Sequence, residues 1–170
     1  AHLPTLNDST TTTGPIPRLP RDQPLPASFA QQRMWLLQQM LPDPSTYNVP
    51  IAWRFTGAID VDRLQQCLQQ LMVRHEVLRT CFVMQGEQLT QRIYSAAEIA
   101  LPWRQIDVPS PSSGHRPPSP PITVEKELLD RELRDESRQP FDLTKAPLWR
   151  AAWLSTADSA AVLVLTFHHS

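Results

Sequence analysis

The chain has 170 residues, of which 41% are hydrophobic and 19% charged, so it can build a core and is not a generally disordered protein. Its 16 Lys and Arg are scattered among 17 acidic residues, which argues against a nucleic-acid partner because phosphate binding needs concentrated positive charge. No stretch approaches the roughly 20 apolar residues of a membrane helix, and the first residues lack the pattern of a signal peptide. Only two cysteines are present, both in apolar patterns, so a reducing cytoplasmic location is expected.

Prolines separate the predicted elements. Six of the 18 prolines lie between residues 4 and 26, and the Thr- and Pro-rich segment 1–23 is predicted to be an interdomain linker. Six more lie in the stretch 108–121, which is predicted to be an exposed loop. The folded part is expected to span 24–170.

The first predicted helix begins at Ser28, in the segment SFAQQRMWLLQQML. Serine followed three residues later by Gln31 is the pattern of a capping box, in which each side chain binds the other residue's backbone N–H. Pro42 is expected to end the helix. Its predicted core-facing residues are Ala30, Met34, Leu37 and Leu41.

A strand and a second helix are predicted next. The segment YNVPIAWRFTG favours a strand, and Pro50 within it indicates either a sheet edge or a bulge. Asp60 is predicted to cap a helix that continues as far as Arg74 or His75. Its apolar residues at helical spacing are Val61, Leu64, Leu68, Leu71 and Met72.

The two cysteines, Cys67 and Cys81, fall within the second helix and the strand that follows it. Both lie in apolar patterns, and both are predicted to be buried as small hydrophobic residues. A disulfide between them is the alternative that this pattern leaves open.

The second half of the chain adds a hairpin, a helix and two strands. LRTCFVMQGEQLTQRIY predicts a hairpin that turns at Gln85-Gly86, and VEKELLDRELRDESR predicts a third helix with a charged, solvated face. PLWRAAWL and AAVLVLTF predict two strands, the second covered on both faces because it is apolar throughout. The predicted fold class is α/β (or α+β), with about three helices packed on a mixed sheet.

Two adjacent histidines, His168 and His169, follow the last strand. Because neighbouring strand residues point to opposite faces, one ring is expected to be buried and hydrogen-bonded while the other can face a cleft. A histidine there could act as a general base near neutral pH. A pair of structural histidines is the alternative. The other histidines, His2, His75 and His115, show no metal-ligand spacing, so no metal is predicted.

A cationic cluster marks the end of the second helix, in RHEVLRTCF. Arg74, His75 and Arg79 lie where the helix dipole favours positive charge, so a structural role is the simplest interpretation. In the first helix, Trp35 is likewise expected in the core and Arg33 in solvent.

Three segments, taken together and in order, resemble the motifs of nonribosomal peptide synthetase condensation domains. SFAQQRMWLL matches the first signature, S-x-A-Q-x-R-[LM]-W-x-L, and RHEVLRTCF matches the second, R-H-E-x-L-R-T-x-F, at every fixed position. FHHS matches the opening of the third, H-H-x-x-x-D-G, whose Asp and Gly are not in this sequence. YNVP and QPFDLTKAPLWRA also resemble segments of that family.

The resemblance implies a chloramphenicol-acetyltransferase-like fold, with residues 24–170 as the N-terminal lobe of a domain whose C-terminal lobe is absent. The implied reaction joins a carrier-bound acyl thioester to the amine of a carrier-bound acceptor. The second histidine of the motif, here His169, would be catalytic, either as a base or by positioning the amine. His168 would be its structural partner.

The resemblance also implies supporting residues and partners. Substrates would be carried on the 4′-phosphopantetheine arms of upstream and downstream carrier domains, with no cofactor bound directly. An adjacent adenylation domain and the missing lobe are the other partners implied, without nucleic acid or membrane. The isolated chain is expected to be inactive. The supporting motif residues are Ser28, Gln31, Arg33, Arg74, His75 and Arg79.

Related domains give alternative interpretations. Epimerization domains generally have a different first signature, and heterocyclization domains carry aspartates in place of the histidines, so both fit less well. An acyltransferase that esterifies alcohols is a further alternative. A lobe that binds carrier proteins without catalysis is the alternative from another functional class.

Overall fold

The structure, a computed structural model, describes residues 25–107, 121–155 and 160–170. The predicted linker 1–23 and all but the last residue of the predicted loop 108–121 lie outside these ranges, as does the connection between the last two strands, residues 156–159.

Within those ranges the chain forms three α-helices and seven strands. The helices are α1 (Phe29–Met40), α2 (Val61–Arg74) and α3 (Pro121–Arg138), and a 3-10 turn spans Glu76–Arg79. The strands are β1 (Leu25–Pro26), β2 (Asn48–Thr56), β3 (Thr80–Gln85), β4 (Gln88–Ile93), β5 (Trp103–Asp107), β6 (Trp149–Ser155) and β7 (Ala160–His168).

The strands form two sheets. One has the order β1-β4-β3 and is antiparallel; the other has the order β2-β7-β6-β5, in which β5 runs parallel to β6 and the remaining pairs are antiparallel. The predicted mixed sheet is therefore confirmed. The hairpin β3–β4 belongs to a separate sheet, which the sequence did not predict, and β1 and β5 were not predicted either. Pro50 lies on the edge strand β2, as expected.

Helix α1 begins with the predicted capping box. The Ser28 backbone N–H donates to Gln31 Oε1 at 2.9 Å, and the Gln31 N–H donates to Ser28 Oγ at 3.2 Å. The helix ends at Met40, two residues before Pro42. Its buried residues are Met34 and Gln38, whose amide donates to the Phe141 carbonyl at 2.9 Å. Prediction of Ala30 as a core residue was wrong, because the buried side of the helix is rotated towards Gln38.

Helix α2 is capped by Asp60, which accepts a hydrogen bond from the Arg63 backbone N–H at 3.0 Å. Leu68 and Met72 form its buried face, whereas Cys67 is exposed. The prediction that Cys67 is buried was wrong, because one residue of α-helix turns the side chain about 100° away from the face that Leu68 occupies. Cys81 is fully buried, as predicted, and burial raises the pKa of its thiol. Both cysteines are free.

The four-stranded sheet lies between the two longer helices. Leu68 and Met72 of α2 pack with Trp149 and Ala151 on one face. On the other face, α3 contributes Leu129 and Leu133 to a cluster. The central strand β7 supplies buried residues to both faces, as its apolar sequence predicted. The sheet residues of that second cluster are Ala152, Leu154, Val162 and Val164.

The smaller sheet turns at Gly86, whose φ of +60° lies in the region that glycine adopts most easily. The turn position agrees with the prediction. The Phe82 backbone N–H donates to the Leu143 carbonyl at 2.8 Å, which fastens this sheet to the segment after α3. Ala27, Phe82, Leu89 and Leu143 form the core beneath it.

Candidate functional site

The histidine pair lies at the end of the central strand β7, and the backbone of each histidine is fixed by a different neighbour. The His168 N–H donates to the Leu148 carbonyl at 2.9 Å, and the His169 N–H donates to the Tyr47 carbonyl at 3.1 Å. The backbone of His168 is thus bound to the residue that precedes β6, and the backbone of His169 to the residue that precedes β2.

The two rings have opposite environments. His168 is only 6% exposed, while His169 is exposed, so the predicted alternation is confirmed. The expected hydrogen bonds of the buried ring are not found, since neither Nδ1 nor Nε2 of His168 has a partner among the described residues. Burial, reinforced by the charge of His169, lowers the pKa of His168 to about 4. The His168 ring is therefore neutral at neutral pH.

Aromatic rings enclose His168. Tyr47 and Phe141 each present an edge-on contact, with ring centroids 6.3 Å from that of His168. The guanidinium of Arg150 lies over the Phe141 ring, 4.3 Å from its centroid. The residues around His168 were not predicted as site residues. The only sequence signal for them was their position in YNVP and QPFDLTKAPLWRA.

A buried carboxylate anchors Arg150. Glu136 of α3 is 2% exposed, and its Oε2 accepts from Arg150 Nε at 2.9 Å. Glu136 also accepts from Arg104, which in addition lies 3.4 Å from Glu132. The prediction that the charges of α3 form a solvated face was wrong for Glu136. The error arose because both arginine partners come from strands that are distant in sequence.

A small apolar cavity of about 140 Å³ lies beside the pair, between α1, the 3-10 turn and the strand ends. Gln31 and His168 both line it, so two of the predicted site residues are brought together, whereas His169 is not among its lining residues. Its apolar lining could exclude water from a bound group. Other lining residues include Leu78, Phe82, Leu148, Phe167 and Ser170.

Arg79 is a buried structural cation. It is 8% exposed, and its Nε donates to the Met72 carbonyl at 2.7 Å. It also donates to the Val73 carbonyl at 3.2 Å and to the Tyr94 carbonyl. Arg79 thereby ties the end of α2 to the end of β4.

The remaining predicted supporting residues are at the surface. Ser28 is exposed and caps α1. Arg74 is the exposed last residue of α2, where its charge complements the helix dipole, and His75 is the exposed residue that follows it. Arg33 is exposed on α1, as predicted. Arg33, Arg74 and His75 do not line the cavity.

Within the described ranges there is neither a candidate metal centre nor a candidate membrane-spanning helix. They contain no group of three or more His, Cys, Asp or Glu residues suited to hold an ion. None of the helices described is both long and apolar enough to cross a bilayer.

Comparison with known proteins agrees with the three motifs. The family model described as "Condensation domain" matches residues 21–170. The chain is 36% identical over 168 residues to a linear gramicidin synthase of Brevibacillus parabrevis, covering 98% of this chain and 2% of that protein. It is 32% identical over 157 residues to bacitracin synthase 1 of Bacillus licheniformis, covering 91% of this chain and 3% of that protein.

Solved structures share the fold. The starter condensation domain of rhizomide synthetase superposes with a TM-score of 0.71 at 24% sequence identity, over 86% of this chain and 31% of that one. The condensation domain of the monacolin K polyketide synthase superposes with a TM-score of 0.69 at 21% identity, over 86% and 30%. The chain thus has a chloramphenicol-acetyltransferase-like α/β fold and spans about a third of these solved domains. Because the condensation-domain model matches residues 21–170, this chain belongs to the condensation-domain family.

Proposed function

We propose that this chain is the N-terminal lobe, over residues 24–170, of a condensation domain that forms amide bonds in nonribosomal peptide synthesis, with 1–23 as the linker before it. The observation that carries the proposal is the histidine pair itself. It ends strand β7, with His168 buried and lining an apolar cavity and with His169 exposed. Membership of the condensation-domain family supplies the reaction class.

In the proposed reaction the amine of an acceptor aminoacyl thioester attacks the carbonyl carbon of a donor thioester. The C–N bond forms, the C–S bond breaks, and the donor's carrier arm leaves as a thiol after gaining the proton that the amine loses. His169 either takes up that proton or holds the amine in line. A solvent-accessible imidazole at a strand end suits both roles.

The proposed partners follow from this chemistry. Donor and acceptor are carried on the 4′-phosphopantetheine arms of upstream and downstream carrier domains, beside an adenylation domain. The second lobe of the condensation domain completes the site. We place the reaction in the cytoplasm. The chain alone is proposed to be inactive, because the two substrate channels need both lobes.

The test uses a polypeptide that contains this chain within a complete condensation domain, supplied with both loaded carrier proteins. Formation of the dipeptidyl thioester is followed by mass spectrometry. We expect His169→Ala to lower the rate by about a hundredfold or more, the range of general acid–base or positioning catalysis, while carrier binding is retained. The isolated 170-residue chain should give no product.

The control is Glu87→Ala, which truncates an exposed side chain in the turn between β3 and β4, outside the cavity lining and outside the three motifs. This variant should condense at the unmodified rate. Full-rate product from His169→Ala would rule out the role given to that residue. Absence of product from the unmodified domain, with both carriers loaded, would rule out the proposed reaction.

A further inference from the structure

The orientation of the His168 ring needs an explanation, because histidines near reacting groups are usually oriented by a hydrogen bond on one ring nitrogen. Across the described ranges, neither His168 nitrogen has such a partner. The ring contacts that the structure shows are the edge-on contacts of Tyr47 and Phe141. The His168 ring is therefore oriented by packing against aromatic rings and not by a hydrogen bond.

Of these two aromatic rings, Phe141 is the one with an anchor of its own. The Arg150 guanidinium covers its face at 4.3 Å, a distance at which a cation and an aromatic ring attract each other. Arg150 is in turn fixed by the Glu136 carboxylate at 2.9 Å and by the Gln139 carbonyl at 2.6 Å. A continuous series of contacts thus runs from a buried carboxylate to the His168 ring.

The same anchor holds the segment between α3 and Phe141. Arg150 also donates to the Glu136 carbonyl, and the Asn48 amide donates to the carbonyls of Ser137 and Gln139, both at 2.8 Å. Asn48 is the residue paired with His168 across the β2–β7 ladder. The end of α3 is therefore bound both to the strand beside the histidine pair and to Arg150.

We infer that Arg150 is a positioning residue for the histidine pair: through Phe141 it holds the His168 ring, and so sets the backbone that presents His169. This inference rests on the proposed function for its effect on catalysis. Arg150 does not reach the reacting atoms. A shift of His169 by about 1 Å is enough to slow a reaction about a hundredfold.

The electrostatic surroundings of His168 agree with a role in packing. Burial is the main cause of its lowered pKa, followed by the charge of His169. His169 is adjacent to His168 on the chain, whereas Arg150 contacts Phe141 and is not among the causes of the shift. Charged or titratable groups on the surrounding elements include Arg150 on β6, Glu136 on α3, Tyr47 before β2, Asp142 after Phe141, and His169.

Two variants test the inference in the complete condensation domain. Arg150→Lys keeps a cation for Glu136 but loses the planar group that covers Phe141. Phe141→Leu keeps an apolar side chain but removes the aromatic edge and face. The control is Arg104→Lys, because Arg104 binds the same carboxylate and lies on β5, away from Phe141 in the contacts observed. Thermal unfolding shows which variants are folded.

Two measurements, turnover and the titration of His168, distinguish an effect on the position of the histidine pair from an effect on stability alone. The turnover of loaded carriers should fall about tenfold to a hundredfold in Arg150→Lys and Phe141→Leu, with the KM for the acceptor unchanged. The NMR titration of the His168 ring should move upward from about 4 in both variants, because the ring becomes hydrated. Arg104→Lys should change neither quantity.

Unchanged turnover and an unchanged His168 titration in folded Arg150→Lys and Phe141→Leu would overturn the inference. An equal loss in Arg104→Lys would overturn it too, since the effect would then belong to the ion-pair network as a whole. If the unmodified domain forms no amide, the proposed function fails. The NMR titration then decides the positioning of His168 by itself.

Discussion

At the scale of single residues, the burial of His168 couples folding to pH. An imidazole in an unfolded chain gains its proton below about pH 6.5, whereas the pKa of folded His168 is about 4. Between these values the unfolded state binds a proton that the folded state does not. The free energy of unfolding should therefore decrease as the pH falls from 6.5 to 4, and this contribution should then level off.

The difference amounts to on the order of 3 kcal/mol for one fully buried imidazole. His168→Phe removes the titrating group and keeps a ring between Tyr47 and Phe141. Urea unfolding of both proteins at pH 7, 5.5 and 4 measures the effect. The unmodified protein should lose stability relative to the variant at each step, and parallel pH dependences would contradict the prediction.

The sequence predicted the opposite environments of His168 and His169, because strand alternation is a local property. The hydrogen-bonded ring was a wrong prediction, since the groups around His168 are aromatic edges. Tyr47 and Phe141 come from segments far apart in the chain. Their meeting depends on the order of strands in the sheet, which local patterns do not determine.

At the scale of elements, the last turns of α3 are fixed to the sheet by Glu136. This carboxylate is buried and contacts both Arg150 and Arg104, so Glu136→Gln leaves the half-buried guanidinium of Arg150 without its counter-charge. Loss of one partner of a buried ion pair costs about 3 kcal/mol. We expect Glu136→Gln to lower the free energy of unfolding by about that amount, as measured by urea unfolding at pH 7.

Glu132→Gln is the matched control on the same helix. Glu132 lies one turn earlier, and its Oε2 lies 3.4 Å from Arg104; the Glu132 side chain is 23% exposed, against 3% for that of Glu136. Its loss should cost about 0.5 kcal/mol or less, as for other ion pairs that solvent can reach. Equal effects of the two substitutions would show that burial does not distinguish them.

The presence of α1 and α2 and the residues at which they begin were predictable, because capping residues and apolar spacing are local features of the sequence, as at Ser28 and Asp60. Which side of each helix is buried was less predictable. Cys67 was placed in the core because a one-residue error in a helix face turns a side chain by about 100°. Glu136 was placed in solvent because its arginine partners lie on strands that are distant in sequence. Strand β5 carries Arg104, Gln105 and Asp107 among its five residues, so its sequence lacks an apolar signal.

At the scale of the whole molecule, the edge strand β2 of the four-stranded sheet is poorly covered, since residues 49–54 are all exposed. On the α2 side, the edge strand β2 leaves Val49, Ile51 and Trp53 between 37% and 43% exposed. They alternate along the strand and pair with Phe167, Leu165 and Leu163 of β7. An apolar row on an edge strand, next to unpaired backbone groups, favours association between chains.

We therefore expect the isolated chain to self-associate with increasing concentration, as measured by sedimentation velocity. Trp53→Lys should shift the population towards monomer, because a charge in this row opposes both apolar contact and strand pairing. The control is Leu36→Lys, which adds the same charge at a residue of α1 that is 54% exposed and outside the β2 row. If both substitutions act equally, net charge is responsible. If only Trp53→Lys acts, the uncovered face of β2 is the contact surface, and a complete domain that covers this face should remain monomeric without the substitution.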